Sequence, residues 1–314
     1  MNERTLLLAV PPAWAPLWTV PFAELAPQLQ IFVESKDTYA TDAIDYVLSF
    51  RPAPGLLQRL PNLRVAFSLG AGVDGFLSDP QYPKHVPLVR FVGNSLADEM
   101  AEFCVLHVLM HYRMQRFFDR AQSEHKWRQA LLPKRASDIA IGILGLGEIG
   151  AVVAERLKPF GFRLAGWSRT RKAVEAVESF ASEDELPAFL ARSDVLICLL
   201  PLTDATTGVL NAKLFAQLPK DAFVINVARG GHLVDADLIA ALDSGHLSGA
   251  VLDVFHHEPL PEDHPFWSHP RITVTPHIAA ITDPRAAVEY VVKGIVRFER
   301  GEMLENVVDL SRGY

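Results

Sequence analysis

Three residues have the types needed to reduce a carbonyl that sits beside a carboxylate. Arg229 follows the apolar run Ala222–Val227 as Ala228-Arg229-Gly230. Glu258 follows Gly249–Val254 by way of His256-His257 and precedes Pro259. His277 follows Ile272–Thr275 as Pro276-His277. An arginine offers a carboxylate a planar fork of donors and can polarise the neighbouring carbonyl. A histidine can give a proton to the carbonyl oxygen as hydride reaches the carbon. A glutamate bonded to that imidazole orients it and favours its protonated form, and Pro259 biases Glu258 toward extended backbone. Singly, each has an ordinary explanation: a surface ion pair, a solvated acid, a turn. What distinguishes them is that each stands at the end of an apolar strand pattern. In an open α/β sheet, ligands sit outside the carboxyl ends of the strands, so residues far apart in sequence can converge there.

The same pattern supplies a nucleotide loop. Ile139–Leu144 reads as a strand and runs into Gly145-Leu146-Gly147-Glu148-Ile149-Gly150, after which Ile149, Val152, Val153 and Leu157 repeat at helical spacing. A bare GxGxxG is weak, but strand before and amphipathic helix after is the context in which it holds a dinucleotide pyrophosphate. Gly145 permits the tight turn, Gly147 lets backbone approach the anion, and Gly150 lets helix pack on strand, with the helix N-terminus facing the phosphates. The next strand ends at Trp167-Ser168-Arg169-Thr170-Arg171-Lys172. An acid about 20 residues past the loop normally bonds the ribose hydroxyls of NAD. Ser168 takes that place and three cations follow, so Arg169 and Arg171 are expected to grip a 2′-phosphate and NADPH to be preferred, with NADH also accepted.

Strand and helix alternate on both sides of this region. Thr5–Val10, Ile31–Glu34, Tyr46–Phe50, Arg64–Leu69 and Leu88–Val92 read as strands, with a short helix at Pro54–Leu60. A long helix follows from near Leu96, capped by Asn94 or Ser95 with Asp98 and Glu99 in its first turn, and a second continues to about Trp127. Strands then recur at Arg163–Trp167, Val195–Leu200, Ala222–Val227, Gly249–Val254 and Ile272–Thr275, and a last helix starts at Asp283-Pro284. The chain has 314 residues, 49% of them apolar, and a net charge of −7. That suits two globular domains and argues against nucleic acid or an anionic membrane as main partner. Cys104 and Cys198 read as reduced core residues, and the apolar run Leu6–Val10 is too short for a signal peptide or a span. A cytoplasmic protein is expected.

Taken together, Gly145–Gly150, Asn226-Val227-Ala228-Arg229-Gly230-Gly231, the run Leu252–Pro261 and Thr275-Pro276-His277-Ile278-Ala279-Ala280 resemble the D-isomer-specific 2-hydroxyacid dehydrogenase family. The runs Trp167–Lys172 and Leu69–Asp74, with the ending Arg312-Gly313-Tyr314, are similar to a bacterial group of glyoxylate and hydroxypyruvate reductases within it. The resemblance implies a doubly wound Rossmann domain over residues 99–285 and a smaller flavodoxin-like substrate domain made from 1–98 and 286–314. It implies a homodimer joined through the cofactor domain, and reduction of a small 2-oxo acid by Arg229, Glu258 and His277. It places Ala71, Gly72 and Val73 of the Gly70–Val73 loop at the substrate carboxylate, Phe50 as an aromatic lid, and Asp253 near the nicotinamide carboxamide. Leu200, Pro201, Val227, Ala228, Thr170 and Ala279 complete the cofactor contacts it implies.

The histidines at 256, 257, 264 and 269 lack ligand spacing such as HExxH, so solvated or capping roles are expected rather than a metal. His107 and His111, four apart on the long helix, are expected to face an apolar seam. Two other readings remain: a relative with a different acid substrate, such as a phosphoglycerate or formate dehydrogenase, and a dinucleotide sensor that kept the fold without turnover.

Overall fold

The computed structural model describes residues 4–132, 134–310 and 312. The side chains of Asn94 and Ser95, expected as a helix cap, and the Gly313-Tyr314 ending lie outside what is described. The chain forms two compact units, Met1–Leu96 with Thr282–Tyr314, and Ala97–Ile281.

The first unit carries β1 (Arg4–Ala9), β2 (Leu29–Val33), β3 (Tyr46–Ser49), β4 (Val65–Ser68) and β5 (Leu88–Arg90), with α1 (Ala15–Leu25) and α2 (Asp74–Leu77) between them. All pairings are parallel, in the order β2-β1-β3-β4-β5, the flavodoxin-like doubly wound order. Leu6, Leu7, Leu8, Val47, Leu48, Val65 and Ala66 are fully buried, as expected where helices cover both faces of a parallel sheet. The expected helix at Pro54–Leu60 is only a single 3-10 turn, Leu57–Arg59; Gly55 at positive φ and Leu60 outside helical geometry confine it.

The second unit begins along α3 (Asn94–Tyr112). Met114, at a left-handed φ of 58°, breaks that helix from α4 (Gln115–Ser123). There follow β6 (Ala140–Leu144), α5 (Glu148–Leu157), β7 (Arg163–Ser168), β8 (Val177–Ala181), α6 (Ser182–Leu190), β9 (Val195–Cys198), α7 (Ala212–Phe215), β10 (Ala222–Asn226), α8 (Asp235–Asp243), β11 (Leu247–Leu252) and β12 (Ile272–Val274). Strand β8 is absent from the sequence reading. Its Val-Glu-Ser-Phe-Ala alternates weakly, and it lies at the sheet edge where only one neighbour, β7, is needed. The sheet runs β12-β11-β10-β9-β6-β7-β8, parallel throughout. Counted from β6, this is the Rossmann order with one further strand, and the order reverses between β6 and β9.

Register decides where the loops emerge. Leu144 pairs with both Trp167 and Cys198, Cys198 with Asn226, Asn226 with Leu252, and Leu252 with Val274. These residues form one row across the sheet, so the segments after them all leave at the same carboxyl edge. The last helix, α9 (Pro284–Glu299), belongs to the first unit. Asp283 caps it by accepting from the Ala286 N–H at 2.7 Å, and it buries Ala287, Val288, Val291 and Ile295. Both cysteines are unpaired and buried, and burial pushes the Cys198 thiol up to about 12. No helix among the described residues is long and apolar enough to cross a membrane.

Candidate active site

The glycine loop occupies the point where the strand order reverses. Gly145 sits at φ +115°, a conformation that side chains avoid. A Cβ there would stand 2.7 Å from the Leu199 carbonyl carbon, so the turn is closed against the end of β9. Gly147 is different: a Cβ built on it would meet nothing within 4 Å, which leaves open space over extended backbone just before α5. The N–H groups of Gly145 and Leu146 both donate to the Trp167 carbonyl, at 2.9 and 3.1 Å, and the Leu146 side chain is buried against Gly166. The donors left for an anion are therefore those of the first helical turn, Glu148 and Ile149, whose N–H groups have no partner within a helix. Gly150 brings helix to strand: a Cβ there would lie 2.3 Å from the Gly145 carbonyl oxygen. An open backbone cradle facing a helix N-terminus fits a dinucleotide pyrophosphate.

At the end of β7, the Ser168 hydroxyl donates to the Thr170 carbonyl at 2.8 Å. Arg169 and Thr170 are exposed. The Arg171 guanidinium donates to the Ser179 carbonyl and to Glu185. Across the fold, the Pro201 carbonyl accepts from the Thr206 hydroxyl at 2.7 Å, and Leu200, Val227 and Ala228 are buried beneath the same edge.

Glu258 and His277 meet as expected. The His277 Nδ1 lies 2.8 Å from Glu258 Oε2, and Glu258 Oε1 accepts from the Phe255 N–H at 2.9 Å. Burial raises the carboxyl, but the hydrogen bonds from His277 and Phe255 and the charges of His277 and Arg229 outweigh it and hold Glu258 below the usual carboxylate range. An ionised carboxylate only accepts, so Nδ1 carries the hydrogen and Nε2 faces away. The imidazole is 45% exposed, enough for a small substrate to reach Nε2. The Glu258-Pro259 bond is cis.

His277 itself has φ +55°, unusual for a residue with a Cβ, and the buried Asp253 holds that turn. Its Oδ1 accepts from the Thr275 hydroxyl at 2.6 Å and the Ile278 N–H at 2.9 Å; its Oδ2 accepts from the Ala279 N–H at 2.8 Å. Asp253 thus aims His277. This use of both its oxygens was not legible beforehand, because it depends on β11 and β12 being neighbours.

Arg229 is half-buried at the end of β10, and its charge acts on Glu258. Its Nη1 donates to the Ala228 carbonyl at 2.6 Å, and Asn226 Nδ2 donates to the Arg229 carbonyl at 3.1 Å. Two supports here were missed by sequence reasoning. Gly230 lets this loop press on the next one: a Cβ there would sit 1.9 Å from the Phe255 carbonyl carbon. His232, fully buried, has Nε2 3.2 Å from the Pro201 carbonyl and Nδ1 3.2 Å from the Arg229 N–H. Nδ1 also lies 3.1 Å from the Arg229 carbonyl, so the ring ties the Arg229 backbone to the Pro201 carbonyl whichever nitrogen carries the hydrogen. The run Arg-Gly-Gly-His directly after a strand was the available signal.

In the first unit, Phe50 stacks edge-on against Trp18 with ring centroids 6.3 Å apart. A Cβ on Gly70 would lie 3.6 Å from the Phe50 ring. The Ser68 hydroxyl donates to the Gly72 carbonyl at 3.0 Å. Among the described residues, the N–H groups of Ala71, Gly72 and Val73 find no hydrogen-bond partner. Elsewhere, His256 and His264 flank Asp235 at 3.5 and 3.4 Å, and His269 lies 3.3 Å from Asp243. His111 stacks on Phe223 with centroids 4.0 Å apart, and burial pushes it down to about 4.

Comparison with known proteins identifies the family of the chain. The family model for the NAD binding domain of D-isomer specific 2-hydroxyacid dehydrogenases matches residues 105–279. Glyoxylate/hydroxypyruvate reductase A of Yersinia enterocolitica is 44% identical over 279 residues, 87% of this chain and 89% of that protein. A D-isomer specific 2-hydroxyacid dehydrogenase of Xanthobacter autotrophicus, solved with NADPH and MES, superposes with a TM-score of 0.93 at 40% identity, covering 99% of this chain and 100% of that one. An NADPH-dependent glyoxylate/hydroxypyruvate reductase of Sinorhizobium meliloti, solved with NADP and sulfate, gives 0.93 at 39% identity, over 99% and 100%. On these matches, the chain belongs to the D-isomer-specific 2-hydroxyacid dehydrogenase family.

Proposed function

We propose that this protein reduces small 2-oxo acids, glyoxylate to glycolate and hydroxypyruvate to glycerate, with NADPH preferred over NADH. The observation that carries the reading is the 2.8 Å bond between His277 and an ionised Glu258, on the same sheet edge as the open glycine cradle. The names and bound nucleotides of the relatives above support the choice of substrate and cofactor. Arg229 grips the substrate carboxylate and draws charge toward the carbonyl oxygen. His277 donates its Nε2 proton to that oxygen, and Glu258 keeps the imidazole in line and compensates its charge. The Gly145–Gly150 turn would hold the pyrophosphate of NADPH and the Ser168–Thr170 turn its adenosine end, and the bound nicotinamide would supply the hydride. Residues Ala71 to Val73 we assign to the substrate as well, since three adjacent N–H donors suit a carboxylate; Phe50 beside them limits its size. The working form is a cytoplasmic homodimer, supported by the exposed Trp127 and Leu131 of the second unit and by two unpaired cysteines.

The test is a panel of glyoxylate, hydroxypyruvate, pyruvate and phenylpyruvate against both cofactors. Glyoxylate or hydroxypyruvate should give the highest kcat/KM, and NADPH should outperform NADH by at least about tenfold, mainly through KM. Phenylpyruvate as best substrate, or equal use of NADH, would overturn the respective half of the proposal. No turnover with any acid would favour the sensor reading.

The pairing of Glu258 with His277 makes a separate prediction. The hydrogen bond from His277 helps hold the Glu258 carboxyl below the usual carboxylate range, so it is the ionised form that orients the ring. Glu258→Gln keeps the shape but lets the amide offer either a donor or an acceptor to Nδ1, so kcat with glyoxylate should fall by about 10–100-fold, a part of the proton donor's contribution, while NADPH binding is kept. An unchanged kcat would show that Glu258 does not orient His277.

A further inference from the structure

Arg171 was expected to be a phosphate ligand from its place after β7, yet its side chain is turned to the strand the sequence did not reveal. Its Nη1 donates to the Ser179 carbonyl on β8, and its Nη2 to Glu185 in the first turn of α6. Glu185 is committed on both oxygens, because the other accepts from the Ala181 N–H at 2.6 Å. The Lys172 N–H donates to the Ser179 hydroxyl at 3.1 Å, and Trp167 Nε1 to the Ser182 carbonyl at 2.7 Å. Residues 167–172 are thus tied to β8 and α6 by side chain and backbone alike. The Arg171 and Glu185 charges also cancel locally, so the pair adds little positive field for a phosphate to feel.

We infer that Arg171 and Glu185 form a strut that sets the shape of the Ser168–Thr170 turn, and that this turn, not Arg171, contacts the 2′-phosphate. The inference rests on the NADPH reading proposed above and deepens it: Arg171 and Glu185 are positioning residues for cofactor selection. The alternative, with Arg171 as direct ligand, makes Glu185 its competitor, so the two accounts predict opposite signs for one substitution.

The probes are adenosine 2′,5′-bisphosphate and 5′-AMP, titrated calorimetrically into the full-length protein without substrate. An exposed ion pair contributes up to about 1 kcal/mol, so Glu185→Ala should weaken the bisphosphate by about fivefold and leave 5′-AMP within about twofold. Glu185→Gln, which keeps one acceptor oxygen and so can serve either Arg171 or the Ala181 N–H but not both, should recover part of the loss. Arg171→Ala should cost about as much as Glu185→Ala, and the double variant no more than either, as coupled partners require. Tighter bisphosphate binding in Glu185→Ala, abolished by adding Arg171→Ala, would overturn the strut and make Arg171 the ligand. Equal losses with both probes would overturn it too, by showing that the pair supports the fold alone. If the unmodified protein binds both probes equally, it is the NADPH reading that fails, and the strut with it.

Discussion

Replacement of His277 by alanine is expected to lower turnover with glyoxylate by about 10²–10⁴-fold, the usual contribution of a positioned proton donor. The argument is geometric. Glu258 fixes one ring nitrogen at 2.8 Å, and Asp253 holds the turn on both sides of the ring, through the Thr275 hydroxyl before it and the Ile278 and Ala279 N–H groups after it. Binding of NADPH, followed by its fluorescence, should change little, because the glycine cradle lies on the β6 loop and keeps its own contacts. A variant with near-normal turnover would remove His277 from the mechanism.

The second large effect is expected at Arg229. Lysine keeps the charge and loses the planar pair of donors. Charge-assisted hydrogen bonds contribute about 1.5–3 kcal/mol each, so Arg229→Lys should lower kcat/KM by about 10–100-fold. The loss should divide between a higher KM, from weaker hold on the carboxylate, and a lower kcat, from a carbonyl no longer held in line. Thermal unfolding serves as control, because the Arg229 N–H to His232 and the Asn226 bond to its carbonyl are backbone contacts that lysine can keep. If the variant binds and reduces a 2-oxo acid like the parent, Arg229 does not hold the substrate.

Much of this was legible in the sequence because it is written locally. The glycine spacing, the apolar runs, and the polar residue just after each run are short-range features, and the parallel sheet then gathers them along one edge. What stayed hidden depends on contacts between segments distant in sequence. Strand β8 carries Glu178 and Ser179 in a five-residue run, and its pairing of Trp167 with Phe180 becomes evident only once β7 is in place. Without β8, the bonds of Arg171 to the Ser179 carbonyl and to Glu185 had no visible basis. Asp253 could be placed near the nicotinamide by resemblance, but its hold on the His277 turn needs β11 and β12 side by side. The close approach of Gly230 to the Phe255 backbone likewise exists only once the loops after β10 and β11 lie side by side.

Hydride transfer to the substrate carbon, with the proton supplied by His277, is the centre of this account. The most direct measurement uses NADPH dideuterated at the nicotinamide C4 with glyoxylate, reading the product by mass spectrometry in the parent protein and in His277→Ala. The parent should yield glycolate carrying one deuterium on carbon, in equal amount to the NADP formed, and the variant should yield almost none. Glycolate without deuterium, NADPH consumed without glycolate, or labelled glycolate formed at parental rate by His277→Ala would contradict it.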